Sequence, residues 1–269
     1  MVVFPNAKIN IGLAVTEKRS DGFHNINTIM YPIRIFDVLE IIHSDDLRFT
    51  SSGIDIPGDI NSNLCLKAFH LLKKDFNISD VRIHLHKNIP IGAGLGGGSS
   101  DAAFTLKALN SLFNLQIDSG DLQDYAKKLG SDCAFFIENR PVYAFEKGDV
   151  FEQIYFHWNF NVVIVYPNIH ISTALAYEGI NPSFENSEIL KSINFHPEKW
   201  NQLIKNDFEI NVSKKFPVIE EIKRQFYNNG AVYSAMSGSG SAVYGLFNSN
   251  VNLSDLEKYG KVFEETNLL

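Results

Sequence analysis

The run from Pro90 to Ala103, PIGAGLGGGSSDAA, places five glycines in the seven positions 92–98 and passes directly into helix-forming sequence. Glycines in such density reach positive φ, let successive N–H groups point inward as an anion-binding nest, and bring backbone close to a ligand. Ser99 and Ser100 read as N-cap residues, with Asp101-Ala102-Ala103 opening a helix whose N-terminal dipole favours the same negative group. Phosphate is the natural occupant.

Other readings of the run stay open at this point. Gly92 to Gly97 satisfies GxGxxG, and Asp118 stands about 20 residues further on, as a nicotinamide-dependent oxidoreductase would want. That pattern follows a near-continuous apolar parallel strand, whereas VRIHLHKNIP alternates polar with apolar residues and inserts Pro90 before the loop. A Walker A loop needs a lysine directly after its glycines, and none stands there. The plain alternative is a flexible turn.

Around the loop, period-2 alternation predicts strands. In NAKINIGLAV, Ile9, Ile11 and Leu13 share one face, and Lys8, Asn10 and Gly12 share the other, which reads as a wet one. IRIFDVLEIIH and VRIHLH read as further strands, the second with Val81, Ile83 and Leu85 inward. Helical spacing appears in residues 61–76, in 100–113 and in 119–130, the last with Ser119 as N-cap and Gly130 as its stop. A hairpin at Lys147-Gly148-Asp149 leads to the strand NVVIVYP and a helix starting near STALAY. Then follow an amphipathic helix ended by Gly230, the strands AVYSAM and SAVYGLF around an SGSG turn, a helix near LSDLEKYG and a strand near KVFEETN. Strands and helices mix without regular βαβ alternation, which makes the fold class α+β.

The chain has 269 residues, enough for one large domain or two modest ones sharing a core. Its 45% hydrophobic and 20% charged residues fit a globular protein. A net charge of −7 supplies no basic stripe for nucleic acid. Two cysteines are too few for a disulfide framework, MVVFPNAKIN lacks a signal-peptide pattern, and no apolar run reaches the roughly 18 residues of a membrane span. The expected location is the cytoplasm.

Three segments, PNAKINIGL at 5–13, PIGAGLGGGSSDAA at 90–103 and MSGSGSAVYGLF at 236–247, together resemble the GHMP kinase superfamily, and their spacing spans nearly the whole chain. RSDGFHNINTIM at 19–30 and LGSDCAFF at 129–136 are similar to its branch acting on a cytidyl sugar-alcohol diphosphate in the non-mevalonate isoprenoid route. The resemblance implies a GHMP kinase fold: an N-terminal ribosomal-protein-S5-domain-2-like domain over 1–155, a C-terminal ferredoxin-like domain over 156–269, and an active site in the cleft between them. It implies transfer of the γ-phosphoryl of ATP, with Mg²⁺, to a tertiary 2-hydroxyl. The partners are then that small molecule and ATP, with no nucleic acid or membrane, and the oligomeric state is left open.

The family pattern puts a catalytic lysine at Lys8 and the general base at Asp132. The ATP loop is Pro90, Ile91, Gly92, Ala93, Gly94, Leu95, Gly96, Gly97, Gly98, Ser99 and Ser100. Phe23 and His24 are the pair that contacts the nucleobase, Asn10 is the substrate-positioning asparagine, Tyr177 a second stacking ring and Thr173 a polar contact. Where the family often has tyrosine, Phe23 keeps the stacking and loses a hydroxyl. Gly238 and Gly240 support the third motif.

Phosphoryl transfer asks chiefly for positioning and charge stabilisation, which N–H donors, a metal and a lysine supply. Either Ser99 or Ser100 has the hydroxyl to hold the metal, and either also serves as a helix cap. Lys8, on the same strand face as Asn10, can pair with Asp132 and keep it ionised as a proton acceptor, and a neutral His24 can match the edge of cytosine. The rivals are a homoserine or mevalonate kinase of the same superfamily, or a nucleotide-binding protein of that fold that transfers nothing.

Overall fold

Period-2 alternation does produce a strand from Asn6 to Lys18, but not a half-wet one. In the computed structural model, which describes residues 1–155, 160–183, 188–251 and 254–265, every residue of that strand from Asn6 to Thr16 is buried. Alternation says which side chains share a face and nothing about what covers it. Ile189 and Ile204 close over Gly12 from the side read as wet, and Leu13 and Val15 enter a core from the other. Lys8 and Asn10, at 3% and 2% exposure, are enclosed by Gly94, Thr28 and Ser237.

The strands in chain order are β1 (Val2–Val3), β2 (Asn6–Lys18), β3 (His24–Phe36), β4 (Val38–His43), β5 (Arg48–Gly53), β6 (Val81–Lys87), β7 (Val142–Phe145), β8 (Val150–Gln153), β9 (Asn161–Tyr166), β10 (Tyr233–Met236), β11 (Val243–Phe247) and β12 (Lys261–Glu265). The helices are α1 (Leu64–Asp75), α2 (Gly97–Leu112), α3 (Ser119–Lys127), α4 (Phe135–Glu138), α5 (Thr173–Tyr177), α6 (Ile189–Ser192), α7 (Trp200–Leu203), α8 (Asp207–Lys215) and α9 (Val218–Asn228). They group into two compact units, each drawing on several stretches of chain.

The first unit comprises residues 1–7, 34–91 and 96–140. Its sheet runs β1-β4-β6-β5, antiparallel except for the β5–β6 pair, which α1 connects. Val81, Ile83 and Leu85 face inward as the alternation predicts. IRIFDVLEIIH, read as one strand, breaks at the buried Asp37, which leaves β3 and β4 on either side. Asn63 caps α1 by accepting from Cys65 N, and α2 buries Ala102, Ala103, Leu106 and Leu109. Helix α3 differs at both ends: Asp118, not Ser119, accepts from Asp121 N, and the helix stops at Lys127 with Gly130 extended at φ 169°. A carboxylate one residue earlier is the better acceptor for the free N–H groups of the first turn.

The second unit comprises residues 8–33, 92–95 and 141–269. It holds the antiparallel sheet β10-β11-β9-β12 and most of the sheet β2-β3-β7-β8. Ile219, Ile222 and Phe226, at helical spacing on α9, bury one stripe against Val163, Val165, Val243 and Phe247 of the sheet. LSDLEKYG forms a 3₁₀ turn over Ser254–Tyr259, with Leu253 outside the described residues. KVFEETN is a strand as far as Glu265, and its last two residues lie outside them. Among the described residues no helix is long and apolar enough to cross a membrane.

Candidate active site

In the second unit, residues far apart in sequence converge on one lysine. The Lys8 ammonium donates to Asn10 Oδ1 and, at 3.2 Å, to the carbonyl of Gly94. The Lys8 N–H donates to Leu95 O at 2.9 Å, and Ala242 N–H donates to Ala93 O at 3.1 Å. Ser237 joins all three segments, because its hydroxyl accepts from Asn10 N–H at 3.1 Å and donates to Gly94 O at 2.9 Å. Gly94 sits at φ +78°, and a Cβ there would fall 1.9 Å from Ser237 O. Only glycine lets the loop approach the 237–240 turn that closely. Asn206 holds that turn from beneath, donating through Nδ2 to Met236 O and Gly238 O, and Tyr244 donates to Asn10 O.

In the first unit, the end of the glycine run meets the segment that carries Asp132. Gly96, in the left-handed region at φ 71°, caps α2, so Ser99 and Ser100 lie inside the first turn rather than at its cap. The two serines differ in access: Ser99 is half-buried and hydrogen-bonds the Cys133 thiol, whereas Ser100 is fully buried. Burial pushes the Cys133 thiol up to about 12, so it stays protonated beside Asp132. Asp132 is half-buried in a 3₁₀ turn over Ser131–Cys133.

Under the same helix end lies a buried ion cluster. Lys87 Nζ donates to Asp37 Oδ2 and, at 2.8 Å, to Asp101 Oδ2, with all three side chains at most 4% exposed. Asp37 Oδ1 also accepts from the N–H groups of Asn88 and Ile89, at 2.6 and 2.9 Å. Burial pushes the Asp101 carboxyl up to about 7, against the pull of Lys87, and the Asp37 carboxylate adds to the rise. Burial also works against the Lys87 ammonium, but the two carboxylates outweigh it and hold its pKa above the ordinary value. This cluster was missed in the sequence, although a signal was present: Lys87 continues the inward register of Val81, Ile83 and Leu85. A lysine on an apolar face implies a buried partner.

The nucleobase candidates fall in the second unit. Arg19 N–H and Phe23 O close the turn between β2 and β3 at 2.9 Å. Beyond it the His24 ring stacks on Tyr177, with centroids 4.6 Å apart and planes at 21°. Tyr177 rests edge-on against Phe208 at 4.8 Å. Phe23 is 61% exposed, with Lys147 Nζ 5.6 Å from its ring centroid. Thr173 is the exposed first residue of α5, whose N-cap is Ser172. Burial, assisted by Lys18, holds the His24 pKa below its ordinary value.

A buried lysine fastened to a glycine-rich loop suits the handling of phosphate. The family model described as GHMP kinases N terminal domain matches residues 63–140, and that described as GHMP kinases C terminal matches 189–261. A 4-diphosphocytidyl-2-C-methyl-D-erythritol kinase of Cytophaga hutchinsonii is 50% identical over 93% of this chain and 93% of its own. Another from Bacteroides thetaiotaomicron is 45% identical over 98% of both chains. A crystal structure of 4-(cytidine 5′-diphospho)-2C-methyl-D-erythritol kinase superposes with a TM-score of 0.83 at 30% identity, covering 98% of each chain. The mevalonate kinase of Methanococcus jannaschii, at 18% identity and a TM-score of 0.74, shares the fold. With both family models matched in order and full-length relatives this similar, the chain belongs to the GHMP kinase family.

Proposed function

We propose that this chain transfers the γ-phosphoryl group of ATP to the 2-hydroxyl of 4-diphosphocytidyl-2-C-methyl-D-erythritol, a step of the non-mevalonate route to isoprenoid precursors. The activity named for its full-length relatives supports the reading. The observation that carries it on this chain's own residues is the enclosure of Lys8 between Asn10 and the Gly94 carbonyl. The ammonium is held against the glycine-rich loop by these contacts, where it can meet the negative charge of a transferring phosphoryl group.

The N–H groups of the loop from Pro90 to Ser100 and the N-terminal end of α2 cradle the ATP phosphates. Asp132 takes the proton of the acceptor hydroxyl as it attacks, and the Lys8 ammonium steadies the charge that spreads over the transferring oxygens. His24 reads the hydrogen-bonding edge of cytosine with one donor and one acceptor nitrogen, Phe23 and Tyr177 stack on its faces, and Thr173 adds a polar contact. Asn10 serves by holding Lys8.

A divalent cation such as Mg²⁺ fits the half-buried hydroxyl of Ser99 and not the sealed one of Ser100. When bound it would neutralise phosphate charge, with most of its ligands coming from phosphate and water. Cys65 and Cys133 are buried free thiols, which supports a reducing cytoplasm as the location.

The test is phosphorus NMR with ATP and Mg²⁺, offering the cytidyl compound, homoserine and mevalonate separately. A new phosphomonoester signal with the cytidyl compound alone is expected, and transfer to another acceptor would overturn the substrate. Asp132→Asn should still bind ATP while losing about 10²–10⁴-fold in kcat; normal turnover would remove Asp132 as the base.

A further inference from the structure

Lys8 can only donate hydrogen bonds, so the atom of Asn10 that meets it must be Oδ1. The Asn10 carboxamide is symmetric in shape, and nothing in its own geometry prevents Nδ2 from taking that place. Its orientation is set one residue further back. Thr28, fully buried on the neighbouring strand β3, has one hydroxyl proton, and that proton goes to the carbonyl of Gly12 at 2.5 Å. The Thr28 oxygen is then an acceptor, and it takes Asn10 Nδ2–H at 3.1 Å.

The chain of polarity is therefore fixed from its far end. Gly12, at φ +66° in β2, turns its carbonyl to Thr28. Thr28 spends its proton there and presents a lone pair. Asn10 answers with Nδ2 and is left with Oδ1 toward Lys8. A flipped amide would place N–H groups against the ammonium and leave the Thr28 lone pair facing a carbonyl oxygen, both unfavourable in a site closed to water.

We propose that Thr28 is a positioning residue of the phosphoryl transfer: it fixes the amide of Asn10 so that Asn10 Oδ1 holds the Lys8 ammonium at the loop carbonyl of Gly94. The proposal rests on the kinase reading for the use made of Lys8, and on the hydrogen-bond geometry alone for the orientation of Asn10.

Thr28→Val keeps the shape and removes both roles of the hydroxyl. It is expected to lower kcat by about 10-fold, the cost of leaving the buried Asn10 amide N–H and Gly12 carbonyl without their partner, with the KM for ATP nearly unchanged. Thr28→Ser should recover most of the loss. In an Asn10→Ala background, Thr28→Val should cost little further, because its effect passes through Asn10. An equal cost in both backgrounds, or a rise in KM at constant kcat, would overturn the proposal in favour of a packing role. A second readout needs no turnover: the buried Asn10 side-chain amide protons should exchange slowly with solvent in the parent protein and faster in Thr28→Val, as followed by NMR. Unchanged exchange would reject the orientation by itself. Failure of the parent protein to phosphorylate any acceptor, with exchange altered as expected, would instead reject the kinase reading and leave the orientation standing.

Discussion

A single proton on His24 decides whether its ring can accept a hydrogen bond from a nucleobase. Neutral imidazole has one donor and one acceptor nitrogen, whereas imidazolium has donors only. Partial burial, with Lys18 nearby, holds the His24 pKa below 6.5. A depressed pKa of this kind favours the neutral ring: the associated stability is present above the unfolded value and is lost as pH falls through the folded one. The KM for the cytidyl acceptor should therefore rise by about 10-fold as pH drops from neutrality to well below the histidine range, while the Tyr177 stacking partner persists. His24→Gln, which keeps a donor and an acceptor without titrating, should flatten that rise. Steady-state kinetics over pH 5 to 8 checks this, and an identical pH profile in both proteins would show that another group titrates.

Strand β6 and helix α2 meet through Lys87, Asp37 and Asp101, and this junction is the clearest case of what alternation can and cannot say. The pattern VRIHLHK correctly puts Val81, Ile83 and Leu85 inward, and read one step further it puts Lys87 inward too. What it cannot give is the pair of carboxylates, since Asp37 lies 50 residues before the lysine and Asp101 14 after it. The same limit hid the surroundings of Lys8 and Asn10, which come from Gly94, Ser237 and Tyr244, 86 to 234 positions away. Local rules named Ser99 and Ser100 as caps, yet Gly96 in a left-handed conformation starts the helix earlier. Lys87→Met should leave two carboxylates buried without a counter-charge and cost about 3–5 kcal/mol. Adding Asp101→Asn should recover part of it, because one carboxyl is then neutral at every pH. Urea unfolding of the three proteins measures both steps, and a single variant as stable as the parent would show that water already reaches the cluster.

Across the whole chain, the family motifs were legible because each carries its chemistry in a few adjacent residues: Lys8 with Asn10, the glycine run with its helix, and the SGSG turn. Their meeting was not legible, because it depends on residues such as Ser237 and Asn206 whose partners lie more than a hundred positions away or in another element. The second unit is built from three stretches, and its sheet β10-β11-β9-β12 takes every strand but β9 from beyond residue 230. A chain ending at Gly230 would thus keep β9 with both edges unpaired and expose Val162 to Val165, all buried in the full protein. It would also strip Ser237 and Tyr244 from Asn10 and leave Gly94 without the turn it packs on. The 1–230 fragment is expected to give no cooperative unfolding transition by near-UV circular dichroism for the second unit, to aggregate through its open strand, and to transfer no phosphate. A soluble fragment with a native-like near-UV signal and slow exchange at the Lys8 N–H would show that the first two motifs assemble the lysine site without the third.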